Sequence, residues 1–82
     1  MIINEEAMKN PNRLADDVFI EAAIQDVEEQ ISYIEERFNT VLIGDRNSFS
    51  QAREDWKNMT VAQVAFAVSA WKAGIHKRYS DN

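Results

Sequence analysis

From Ile20 onward the apolar positions fall at Ile20, Ile24, Val27, Ile31, Ile34, Phe38 and Val41, with alternating spacings of four and three. That alternation keeps one edge of an α-helix apolar and makes a heptad seam about 32 Å long at 1.5 Å per residue. Leu14, Val18 and Phe19 widen the face near its start. Asn10 before Pro11 reads as the helix start, a side-chain cap followed by proline at the first helical position. No breaker intervenes before about Leu42, and Gly44 stands where a left-handed cap belongs. Residues 1–10 have no clear period and read as a flexible arm.

Gly44 to Asn47 reads as a polar loop. Ser48 and Gln51 then match a capping box that opens a short second helix to about Asn58, with Phe49, Ala52 and Trp56 on one face. Thr60 and Gln63 form a second capping box, with Met59 and Val64 placed as its hydrophobic staple. The third helix runs from Val61 to about Ala73 and on through Gly74 into a basic end. Along it Val61, Val64, Val68, Trp71 and Ile75 repeat the threes and fours. The expected fold is all-α: a small bundle of one long and two shorter helices, one domain over residues 1–82, with 79–82 as a flexible tail. The two seams are natural antiparallel partners, joined by loops short enough to allow it. The expected core is Ile20, Ile24, Val27, Ile31, Ile34, Phe38, Trp56, Val64, Val68 and Trp71.

Composition supports helices. Two glycines and one proline in 82 residues are too few for the turns of an all-β domain. With no cysteine, neither a disulfide nor a thiolate metal site can brace the core. No apolar run approaches the roughly 18 residues of a membrane span. The opening Met1-Ile2-Ile3-Asn4-Glu5-Glu6 is acidic where a signal peptide is basic. The expectation is a soluble cytoplasmic protein. The net charge of −5 is uneven: residues 1–36 hold ten acids and two bases, and residues 37–82 hold four acids and seven bases. The first half repels nucleic acid and suits a basic protein surface.

Convergent polar groups are scarce. His76 is the lone histidine, and Ser69 precedes it by seven residues, about 10 Å along a helix and too far for a nucleophile and its base. The pairs Asp16-Asp17, Glu28-Glu29 and Glu35-Glu36 point about 100° apart on a helix and chelate poorly. Asp45-Arg46-Asn47 fails as a calcium loop, because Ser50 and Trp56 stand where glycine and glutamate are required. Thr60 to Ala65 looks like the first helix of a helix-turn-helix, yet nothing near Ser69 breaks the helix. The chain is expected to be no enzyme, to need no cofactor or metal, and to bind no nucleic acid.

What remains is binding. With Ile20 at a d position, the e positions are Glu21, Glu28 and Glu35, and the g positions are Ala23, Gln30 and Arg37. These flanks do not encode self-pairing; they suit a basic helix from another protein. Phe19, Tyr33 and Phe66 lie off the main seams. Together with Glu21, Glu28 and Glu35 they are the candidate partner-binding residues.

The length and the run of the sequence carry a resemblance. The opening Met1-Ile2-Ile3-Asn4, the middle Tyr33-Ile34-Glu35-Glu36-Arg37-Phe38 and the end Trp71-Lys72-Ala73-Gly74-Ile75 contribute to it. As a whole the chain resembles the cytoplasmic lysis-inhibition accessory proteins of T4-like phages, which are soluble antiholins. The resemblance implies a protein in the host cytoplasm that binds the cytosolic N-terminal domain of the holin and delays lysis together with a periplasmic antiholin. It carries no motif with defined roles, so it assigns no site residue. The alternative is a small acidic inhibitor of a host enzyme, acting as a DNA mimic; a DNA-binding regulator ranks below both.

Overall fold

Asp16 starts the long helix: its carboxylate accepts a hydrogen bond from the Phe19 amide at 2.8 Å, and its backbone is extended just before the first turn. The computed structural model describes residues 2–79 and contains five helices: α1 (Ile2–Lys9), α2 (Asp17–Phe38), α3 (Ile43–Ser50), α4 (Ala52–Trp56) and α5 (Val61–Arg78). The fold is all-α, with no strand among the described residues beyond one isolated bridge between Leu14 and Thr60. Residues 80–82, most of the expected tail, lie outside the described residues, while Tyr79 packs its ring against Phe38 at 5.4 Å.

The two seams meet as expected. Ile20, Ile24, Val27, Ile31 and Ile34 from α2 and Val61, Val64, Val68 and Ile75 from α5 are all buried in one cluster, with Phe38 and Trp71 half-buried at its edges. Lys72 and Asp26 bridge the same two helices at 2.6 Å. The heptad pattern thus reports packing within the chain.

Several expected boundaries are corrected. Asn10-Pro11 does not open a helix. Residues 2–9, expected to be a loose arm, form α1, which packs on α2 and α5 and buries Ile3. The linker after it serves α5. The carbonyls of Arg13 and Pro11 accept from the amides of Val61 and Ala62, at 2.7 and 3.2 Å, and the Ala15 amide donates to the Met59 carbonyl. The Thr60 hydroxyl takes the Gln63 amide, and the Gln63 side chain answers to the Thr60 amide, so the expected capping box is present. The first-turn donors of α5, which no helix can satisfy internally, therefore all find acceptors.

The end of α2 also differs. Asn39 adopts the left-handed conformation (φ 49°) that was assigned to Gly44, and asparagine tolerates it better than most residues. The chain turns there, so Val41 leaves the seam and is exposed, and Leu42 takes the buried place. Gly44 lies inside α3 at negative φ. Ser48 is no cap; its hydroxyl donates to the Gly44 carbonyl one turn back. The expected second helix is instead a pair, α3 and α4, bent at Gln51. Its aromatic face holds: Phe49 meets Trp56 at 5.9 Å and Trp71 at 5.2 Å, both edge-on. The Trp71 indole N–H donates to Asp45, which also pairs with Arg78, so α3 is tied to α5.

Two substitutions test this account of helix ends and interiors. Gly74 sits inside α5, where a methyl group would meet open space rather than another part of the fold. Gly74→Ala is expected to stabilise the fold by about 1 kcal/mol. Thr60→Ala is expected to cost about 1 kcal/mol by freeing the Gln63 amide. For a domain of this size each corresponds to a melting shift of roughly 4–8 °C, upward and downward respectively, measurable by circular dichroism.

Candidate partner-binding surface

Residues seven apart on a helix return to nearly the same side, so Glu21, Glu28 and Glu35 line one edge of α2. The α3–α4 pair lies along this edge and carries two arginines, Arg46 and Arg53, that are also seven apart. Arg53 grips Glu21 through two nitrogens at 2.5 and 3.0 Å. Arg46 grips Glu35 at 2.5 and 3.3 Å. The Glu35 carboxylate also accepts the Leu42 amide at 2.9 Å, which fixes the turn between α2 and α3. Two of the three acids expected to await a basic partner are thus met by the chain's own arginines.

Glu28 is different. It is exposed, and it makes no hydrogen bond or ion pair to any described residue. It sits between the two clamps, close enough for its charge to raise the pKa of both arginines in addition to the larger effects of Glu35 and Glu21. Beside it a pocket of about 240 Å³ opens between α2 and α3–α4, lined by Ile24, Glu28, Ile31, Arg46, Phe49, Ser50 and Arg53. Ile24 and Ile31 belong to the buried core, so the floor is firm and apolar.

The other candidates scatter. Phe19 is corrected: it is only 3% exposed and belongs to the core, because α1 and α4 both pack on α2 and cover more of it than one seam requires. Tyr33 (56% exposed) and Phe66 (75%) do face solvent. Tyr33 lies five residues from Glu28, about 140° around the helix, and so off the acidic edge. It lines a shallow depression with Glu36 and Arg37. Phe66 is on α5, on the side away from Val61, Val64 and Val68. The sequence reading missed Arg46, Arg53, Phe49 and Ser50 as parts of this surface. The matching seven-residue spacing of the arginines and the acids was the available clue.

Among the described residues no group of three or more His, Asp or Glu is placed to hold a metal ion, and no helix is long and apolar enough to cross a membrane. No protein-family model matches the chain, and neither a curated protein nor a solved structure does.

The Glu35 clamp and the Asp16 cap respond to acid. Arg46 and then the Leu42 amide hold the Glu35 carboxyl below its ordinary value of 4.5. The Phe19 amide and then Arg13 hold Asp16 below 3.8. A carboxylate depressed in the folded state stabilises that state above its ordinary value and loses the contribution as pH falls through the folded value. The melting temperature is expected to stay level from about pH 7 to about pH 5 and to fall below that. Glu35→Gln is expected to lower it at neutral pH and to flatten part of the acid decline, as read from melts across the range.

Proposed function

We propose that this protein acts by binding another protein, and that it is a soluble antiholin whose partner is the cytosolic N-terminal domain of a phage holin. The observation that supports the reading is the α2 edge. A rigid row of acids and arginines leaves one carboxylate uncommitted beside an apolar pocket, an arrangement that suits protein recognition. The resemblance to lysis-inhibition accessory proteins supplies the identity of the partner.

No chemistry is needed for such a protein to delay lysis. A chain that binds unassembled holin removes it from the pool that clusters in the membrane. At a free concentration a hundred times its Kd it lowers unbound holin about a hundredfold, and assembly of high order falls far more steeply. A helical or basic segment of the holin domain would lie along the acidic edge of α2, and ionic steering would speed the encounter.

Mixing the purified chain with an isolated holin cytosolic domain tests this directly. The expected outcome is a complex seen by size-exclusion chromatography with light scattering, with an affinity that weakens as salt rises. No complex at tens of micromolar rejects the antiholin reading. Stable association with a host polymerase or nuclease subunit in its place favours the acidic-inhibitor alternative.

A further inference from the structure

We propose that α3 is a lid: the stretch from Ile43 to Gln51 opens as a unit between fixed ends while the other helices stay folded. The first ground is local sequence. Of the eight residues in α3, Gly44, Asp45, Asn47, Ser48 and Ser50 are poor helix formers, and a helix this short cannot hold itself together. No side chain caps its start. Its two serine hydroxyls donate to carbonyls within α3, Ser48 to Gly44 and Ser50 to Asn47, and so tie it to nothing else.

The second ground is packing. α3 buries none of its residues, whereas every other helix buries at least one. The residues on either side are anchored, since Leu42 and Ala52 both belong to the core. Between those points the ties are peripheral. Arg46 clamps Glu35, and Asp45 accepts from the Trp71 indole at 2.9 Å and from Arg78 at 3.1 Å. The half-buried Phe49 ring meets Trp56 and Trp71 only edge-on. The helix is already broken at Gln51, where α4 begins.

The pocket of about 240 Å³ lies against Arg46, Phe49 and Ser50, so α3 is not packed down onto Ile24 and Ile31. An open lid uncovers that floor. It also takes Arg46 from Glu35, which joins Glu28 as a second uncommitted carboxylate, while the Arg53–Glu21 clamp on α4 stays closed. With α3 closed the row of acids and arginines is complete. The lid therefore sets how much of the acidic edge is presented.

Hydrogen exchange of the free, full chain, read residue by residue by NMR, tests this separately from whether a holin domain binds. The chain carries its own reporter: the Trp71 indole N–H is held by Asp45 of α3, and the Trp71 backbone amide belongs to α5. The amides of residues 47–50 and the Trp71 indole are expected to open at least about a hundredfold more often than the backbone amides of Val27, Val68 and Trp71. That opening is expected to depend only weakly on denaturant, because it exposes little surface. Raising sodium chloride from about 0.05 to about 0.5 M is expected to increase it about threefold relative to the core, by screening the Arg46 and Arg78 pairs. Asp45→Asn is expected to increase it about tenfold. Gly44→Ala, whose methyl group meets open space, is the stabilising counterpart and is expected to decrease it about threefold. Both variants are expected to leave the core amides of α2 and α5 unchanged. A Trp71 indole as protected as the core would overturn the proposal. So would variants that shift α3 and the core together, or an opening of α3 that salt leaves unchanged.

Discussion

The apolar contact between α2 and α5 is the constraint on which everything else depends. With no cysteine in the chain no disulfide holds either helix, and a domain of 82 residues has only one core to bury. Ile20 to Ile34 on one side and Val61 to Ile75 on the other shed their apolar surface together in one cluster, to which α1 adds Ile3. The Lys72–Asp26 pair crosses the same boundary and fixes its register with charge. The α3–α4 pair is then positioned by two sets of ties, aromatic and ionic toward α5, and arginine clamps toward α2. The acidic edge is accordingly a property of the whole assembly and not of one helix.

Much of this was legible from the residues, and the reasons for success and failure are physical. The seams were readable because burial imposes a strict period, and Thr60 to Gln63 was readable because a capping box has fixed chemistry. The start of α2 was misplaced because Asn10-Pro11 and Asp16 both satisfy the rules for a helix start; only the tertiary pairing of the linker with α5 decides between them. Gly44 was taken for the left-handed residue because glycine is the commonest occupant, while Asn39 in fact turns the chain. Five residues separate those choices, enough to move Val41 out of the core and to shift the second helix forward.

The candidate surface shows the same division. Acids spaced by seven on one helix announced an edge, but not that Arg46 and Arg53 would close most of it from within the chain. Phe19 was read as a partner contact because a bundle of one long and two shorter helices leaves its flank open, and five helices do not. Tyr33 and Phe66 were correctly placed outside the core, yet on different sides of the molecule from Glu28. Periodicity reports which face an amino acid takes; it does not report what stands opposite.

The amino-terminal linker has a consequence for the order in which the molecule is made. Its carbonyls at Pro11 and Arg13 serve amides at Val61 and Ala62, about fifty positions later in the chain. A ribosome that has finished α2 still needs roughly 2–8 s to reach the end of α5. For the first half of that interval the nascent polypeptide carries a clasp with nothing to hold, and its hydrophobic stripe stays uncovered until the last helix is made to face it.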